Sequence, residues 1–403
     1  MKKILWISPA VPYDTVSHAG GKTHNYYIKY FQRSGRYDIH LVSLAEVEDV
    51  PQLDLNRYGI SSDICVVGGN ICKNVFRMAY NLNSLYNKRH PLCQTILSYQ
   101  YKALKRRVKR YANHNQPDIV IMQWTGAAFL LPYVQKLFPQ AQTVIIEEDV
   151  SFLGYQRRYQ QEQNAHKKAR YQYCYEHLKE KELSLLQACS LVVVNNDKDR
   201  NLLVDNGIEK NMIYTAAAYY EDYSDVQREH IERRILFYGG MHREENHRAA
   251  MWFAKKVMPS LAREQITFEV VGNHPRKEWN TVQNDRIQVR GFVENVRPYF
   301  EKCLCMVAPL ELGAGVKVKI LEGLSAGIPV LTNEVGMEGI AAEDGQEYLY
   351  CDTEEAYLAA IHKLLEYPEL GQQIGRRAKQ FMVQNYNLDR TLDGLMKVLD
   401  GIE

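Results

Sequence analysis

No stretch of this 403-residue chain approaches the ~20 consecutive apolar residues needed to cross a bilayer. The apolar start MKKILWISPAV is too short for a secretory signal and is interrupted by Pro9, Pro12 and Asp14, so a cytoplasmic location is expected. Charge of one sign is not in excess either: a formal net charge of +2 leaves no electrostatic footprint for nucleic acid. The cysteines, at 65, 72, 93, 174, 189, 303, 305 and 351, form neither a CxxC pair nor a zinc spacing, so they read as reduced and structural, with no metal site. Three familiar motifs are also incomplete. HAGGKT at 18–23 ends like a triphosphate-binding loop, but Val16 stands where that loop needs its first glycine. Gly313-Ala314-Gly315 is not a dinucleotide fingerprint, because its third glycine would fall on Val318. Asp197-Lys198-Asp199 resembles a metal-binding Asp-x-Asp, yet Asp and Asn after a strand more often start a helix.

What is present is an ordinary globular composition, 46% hydrophobic and 24% charged, in a chain long enough for two to three domains. Continuous apolar strands are expected at 3–8, 39–44, 64–67, 119–123, 143–146 and 191–195, with a loop at 9–21 and a helix over 23–33. Strands buried on both faces and alternating with helices imply a parallel sheet covered on both sides. The pattern fades in the charged stretch YYEDYSDVQREHIER and resumes with strands at 235–238, 267–271, 287–289, 303–308, 329–332 and 348–351. Helices are expected at 248–261, 316–326, 354–365 and 372–384. The fold class is therefore α/β, two tandem Rossmann-like domains at 1–218 and 219–386, facing a central cleft at the carboxyl ends of their strands. Chain order suggests that the segment 387–403 packs back on the first domain.

The most informative stretch is PLELGAGVKVKILEGLSAGIP, from Pro309 to Pro329. It joins a strand, a glycine loop and a helix start, where unpaired N–H groups and the helix dipole favour an anion. Lys319 and Glu322, three apart, share a helix face and suit a diphosphate followed by a sugar hydroxyl pair, or else form an exposed ion pair. Gly20 and Gly21, read as lying just before the first helix, would let backbone approach a ligand. Glu147, Glu148 and Asp149 end a first-domain strand and could meet an acceptor hydroxyl, and Trp124 ends its neighbour, where a ring could stack on sugar. From Tyr101 to Tyr111 the chain carries six basic residues and no acid on an amphipathic helix. An anionic membrane surface is a candidate partner for it; a solvated face over a core stripe is the commoner outcome. Tyrosine, at 28 residues, is abundant.

With these residues in place, the chain resembles the family 4 glycosyltransferases, which have the GT-B fold. The resemblance is carried by ILFYGGMHREENHRAAMWF, VVGN and IQVRGFVENVRPYFEKCLCMVAPLELGAGVKVKILEGLSAGIPVLTNEVGMEGI, and more loosely by ILWISPAVPYD, AGGKTHNYY and IIEEDV. It implies a retaining transfer from a UDP-linked nucleotide sugar, without metal or other cofactor, to a glycan or lipid-linked acceptor in surface polysaccharide assembly, in the cytoplasm or on the inner membrane face. It implies that Glu322 holds the ribose, that Gly291, Phe292 and Val293 frame the base, and that Gly313, Ala314, Gly315 and Val316 contact diphosphate or donor sugar. The family's paired glutamate, eight positions before Glu322, is Ala314 here. Its usual arginine and lysine align with Gly240 and Glu245, passing the cationic role to Lys319, assisted by Lys317 or Arg243. Its first-domain histidine aligns near Glu148, so Lys319, Glu148 and Asp149 are the catalytic candidates. Alternatives on the same fold are a nucleotide-sugar epimerase, a sugar-phosphate synthase, or a catalytically silent glycan-binding subunit.

Overall fold

The computed structural model describes residues 1–16, 18–67, 95–313 and 315–401. They form two compact units, Met1–Tyr219 with Leu388–Glu403, and Tyr220–Asn387. Each unit is a parallel sheet covered by helices.

In the first unit the strands are β1 (Lys2–Ser8), β2 (Tyr37–Glu46), β3 (Ser61–Val67), β4 (Ile119–Gln123), β5 (Gln142–Glu147), β6 (Leu191–Val194) and β7 (Ile213–Thr215), in the spatial order β3-β2-β1-β4-β5-β6-β7. The period of two divides their apolar residues between two cores. Leu5, Ile7, Val120, Met122 and Ile145 face one core with Leu104, Val108 and Leu178. Ile4, Trp6, Ile119, Ile121 and Val144 face the other, with Tyr27 and Phe31 of helix Ala19–Arg33. That helix begins four residues earlier than the sequence suggests, because the His18 ring accepts the Gly21 N–H (2.9 Å) and caps it. Gly20 and Gly21 therefore belong to its first turn and do not precede it. The short β7 has three residues, too few to show a period in the sequence.

The basic helix runs Ser98–Ala112, with Leu104 and Val108 fully buried. Arg107 and Arg110 both reach Asp63, at 3.1 and 3.2 Å. Its apolar stripe is thus core, and two of its cations already have a carboxylate partner.

The last helix, Leu388–Asp400, buries Leu392, Leu395, Met396 and Leu399 against the second core. Polar ties hold it in register: the hydroxyls of Tyr214 and Tyr30 donate to Thr391 O (2.7 Å) and Asp393 Oδ1 (2.9 Å), and Arg36 pairs with Asp400.

Beside β5 lies a buried acid cluster. Successive residues point to opposite faces, so Glu147 and Glu148 turn to opposite sides of the sheet, and both are buried. Glu147, 1% exposed, accepts from Thr125 Oγ1 (2.8 Å). Glu182 accepts the N–H groups of Ser151 (2.8 Å) and Phe152 (3.0 Å) and so caps helix Ser151–Gln161. Burial pushes the Glu182 carboxyl up to about 8, and burial together with Glu182 pushes Glu147 well above the usual range. The sequence LVVVNNDKD proves a helix start: Asn196 caps helix Asp197–Asp205 by accepting the Asp199 N–H (2.8 Å).

The second unit has β8 (Arg234–Tyr238), β9 (Thr267–Val271), β10 (Ile287–Gly291), β11 (Cys305–Ala308), β12 (Val330–Thr332) and β13 (Leu349–Tyr350), in the order β10-β9-β8-β11-β12-β13. In both units the strand order reverses once, between β1 and β4 and between β8 and β11. Connections on the two sides of such a point leave in opposite directions, opening a crevice at the strands' carboxyl ends.

Two expectations follow. Leu395→Ala, which empties a fully packed site under the last helix, should cost about 2–5 kcal/mol in urea unfolding; a loss below about 1 kcal/mol would mean that the helix is not part of the core. A carboxyl raised in the folded state favours folding when protonated, so the contribution of Glu182 is complete below its unfolded value near 4.5 and is lost as pH rises through about 8. Glu182→Gln should flatten the stability decline between pH 5 and 8; an unchanged slope would assign that decline to other groups.

Candidate functional site

In the second unit, β8 ends at Tyr238 and the chain turns through Gly239 and Gly240 beside β9. Gly239 N–H donates to Val271 O (2.9 Å), and Gly272 N–H to Gly291 O (2.8 Å), so the carboxyl edge is tied from β8 to β10. Gly272 has φ 158°, and a Cβ there would lie 1.8 Å from Gly239 O, so no other residue permits this approach. On the other side of the reversal, β11 ends at Ala308. The chain then passes through left-handed Gly313 (φ 111°) and Gly315 (φ 70°) into helix Val318–Ser325. The residue before that helix, Lys317, makes no side-chain bond to its first turn. Ala314 lies outside the described residues.

Lys319, in that first turn, reaches across to the β8 turn. Its ammonium donates to Asn246 Oδ1, lies 4.8 Å over the Phe237 ring, and is 3.0 Å from where a Gly239 Cβ would stand. Asn246, from helix Glu244–Ser260, donates its other amide atom to Gly240 O (2.9 Å). Asn246 thus spans the glycine turn and the lysine. Desolvation pushes the Lys319 ammonium down to about 7, with Arg243 and Lys317 acting the same way and Glu245 and Glu322 opposing.

Lys317 is not on the helix; it is the extended residue before it, with φ −88° and ψ 92°. Its ammonium bonds Gly315 O and lies 3.4 Å from Glu338 Oε2, both side chains being nearly buried. Lys317 therefore braces the glycine loop. Arg243 caps no group with its side chain and stays half exposed, 3.7 Å from Glu245.

Glu322, one turn after Lys319, is 3% exposed. The Tyr238 hydroxyl donates to it, and Tyr223 lies close; burial first and then the Glu322 charge push both phenols up. Gly291 ends β10 with φ 69°, followed by half-buried Val293 and by Phe292, 72% exposed. Val316 is half-buried in the loop. Tyr223, Tyr238 and Asn246 were missed in the sequence. Tyr238 closes a strand next to the reversal, which is a usable signal; Asn246 is one polar residue in ENH and offers none.

The first unit has its own constellation at the β1/β4 reversal. Trp124 follows β4 in the left-handed region, at φ 65°, a strained conformation for an aromatic residue that neighbours must enforce. Its indole N–H donates to Glu148, and Gln123 Nε2 donates to Glu148 Oε1 (2.7 Å). Burial, then Asp149, pushes the Glu148 carboxyl well above the usual range. Asp149 itself is exposed. A Cβ on Gly20 would stand 2.6 Å from Glu148 Oε2, and one on Gly21 would meet Val16 and His18. The two glycines make room for neighbours in their own unit. His24 packs edge-to-face on Trp124 (5.6 Å), and burial drives it to about 3, so it is neutral.

Residues 232–367 match the family described as "Glycosyl transferases group 1". No curated protein matches the chain in sequence. Among solved structures, sucrose-phosphate synthase from Thermosynechococcus elongatus is similar with a TM-score of 0.71 and 11% identity over 100% of this chain and 99% of that one. Anabaena HepE, solved with UDP-glucose, gives 0.64 and 12% over 100% of both chains. A TarM variant from S. aureus, in complex with fondaparinux, α-GlcNAc-glycerol and UDP, gives 0.65 and 11% over 99% and 100%. The chain has the two-domain GT-B fold, and within it residues 232–367 are similar to the group 1 glycosyl transferases.

Proposed function

We propose that this protein is a retaining glycosyltransferase that moves a sugar from a UDP-sugar to a hydroxyl of a glycan or glycolipid during surface polysaccharide assembly, without a metal. The observation that carries the reading is the Lys319 ammonium, held by Asn246 over the glycine turn after β8, beside the helix start and one turn from Glu322. The uridine assignment draws on the UDP and UDP-glucose bound by HepE and the UDP bound by TarM.

In this reading Glu322 accepts from the ribose hydroxyls, with Tyr238 holding the carboxylate in place. Gly291, Phe292 and Val293 frame the base. Backbone N–H groups of Gly313, Gly315 and the helix start meet the diphosphate. Lys319 neutralises the charge that grows on the departing diphosphate, and Lys317 serves by fixing the loop. Preorganised donors aimed at developing charge lower a barrier because they need no reorientation during reaction. The incoming hydroxyl attacks from the face the diphosphate leaves, so configuration is retained. Glu148 is the first-domain group that meets the acceptor, oriented by Gln123 and Trp124, with Asp149 beside it.

Release of UDP from a panel of UDP-sugars without acceptor tests the activity; UDP binding with no release from any sugar would favour a silent domain, and 2-epimerisation of UDP-GlcNAc would favour an epimerase. Lys319→Ala should weaken UDP by about 1.5–3 kcal/mol, the worth of a charge-assisted hydrogen bond, and leave uridine nearly unchanged. Equal losses for both ligands would sink the phosphate role. Because the free ammonium titrates near 7, UDP binding at pH 8 should take up protons, seen as calorimetric heats that depend on buffer ionisation. Lys319→Met should abolish that uptake; retention of it would place the proton elsewhere.

A further inference from the structure

Helices Ser151–Gln161 and Ala165–Ala188 pack on each other as a hairpin, closed by residues 162–164. Its base is anchored: Phe152, Leu178, Leu185 and Leu186 lie in the first-unit core, and Glu182 caps the first helix. Its far end is different. From Gly154 to Tyr173 there is no Val, Leu, Ile, Met, Phe or Trp. The same stretch has five cations, Arg157, Arg158, Lys167, Lys168 and Arg170, against the single acid Glu162. Exposed helices usually mix the two signs, since i,i+4 pairs of opposite charge stabilise them and like charges do the reverse. One-sided charge here works against the hairpin's own helicity, which a solvated face alone does not require.

The cations are interleaved with rings. Arg158 stands 5.6 Å from the Tyr155 ring and Lys168 5.6 Å over that of Tyr159, while Tyr171 and Tyr173 follow on the second helix. Arg158, Lys167, Lys168, Arg170 and Tyr173 are exposed. Glutamine fills much of the remainder, at 156, 160, 161, 163 and 172. Helices that lie on membranes insert Trp, Phe or Leu below the headgroups, and this end has none. Cations, amides and tyrosine rings instead match a hydrated polyanion whose units have apolar ring faces. The hairpin also begins three residues after Glu148, at the carboxyl edge of β5.

We propose that the hairpin tip binds an anionic glycan, a saccharide chain bearing carboxylate, sulfate or phosphate. The cations meet the acidic groups, the tyrosine rings lie against sugar faces, and the glutamines bond hydroxyls. As an acceptor site this rests on the transferase reading above; as a binding surface it does not.

The test uses the full chain and measures affinity for polygalacturonate, neutral dextran, poly(U) and phosphatidylglycerol vesicles, with UDP affinity as a fold control. Polygalacturonate should bind in a salt-sensitive manner and dextran should not. Combined Arg158→Gln, Lys167→Gln, Lys168→Gln and Arg170→Gln should weaken polygalacturonate at least about tenfold with UDP unaffected. Tyr159→Leu with Tyr171→Leu should weaken it at an unchanged salt slope. Unaltered binding in the glutamine variant would overturn the proposal, as would poly(U) or vesicles binding as tightly as polygalacturonate. Polygalacturonate binding by a protein that fails to bind UDP would support the hairpin and overturn the transferase reading, so the two fail separately.

Discussion

An ammonium drawn out of water needs compensation, and where no carboxylate bonds it directly the compensation comes from dipoles and ring faces. Lys319 is such a group. An amide oxygen of Asn246 and the Phe237 ring receive it, and its proton affinity falls to about 7. In the proposed function, an anion arriving at the β8/β11 reversal supplies the charge that this incomplete compensation leaves missing. The surrounding structure is arranged to keep the lysine there. The glycine turn after β8 leaves room for it, Gly272 admits the turn, and Lys317 with Glu338 braces the loop on the other side.

Much of this was legible in the residues. Apolar strands buried on both faces leave a strong signal, so most strands of both sheets fall within a few residues of where the periodicity places them. The glycine loop leading to a helix with Lys319 and Glu322 on one face was legible for the same reason: helical spacing is a local rule. Residues whose role depends on partners far along the chain were not. Asn246 meets Lys319 across 73 positions, and only the strand order brings them together. Glu147 and Glu148 look alike in a row of acids, yet the alternation of strand side chains sends one into a core cluster and the other to the sheet's carboxyl edge. Gly20 and Gly21 read as lying before the first helix; the His18 cap, a three-residue interaction with no apolar pattern, draws them into it.

The first unit shows the same economy with opposite charge. Glu148 is desolvated, accepts two hydrogen bonds, and stands over a glycine that cannot bear a side chain. Trp124 holds a strained backbone to reach it. Strain of order 1–3 kcal/mol persists where the neighbouring structure over-determines a position, and such positions cluster where ligands are handled. The basic hairpin leaves from the same edge of the sheet.

In the proposed function Lys319 is the anion-seeking group of the second unit. Its ε-carbon resonance, followed through a pH titration in labelled protein with and without UDP, reads that directly. The account predicts a midpoint near 7 for the free protein, moving up by a unit or more when UDP binds. A midpoint that UDP leaves unmoved would contradict it.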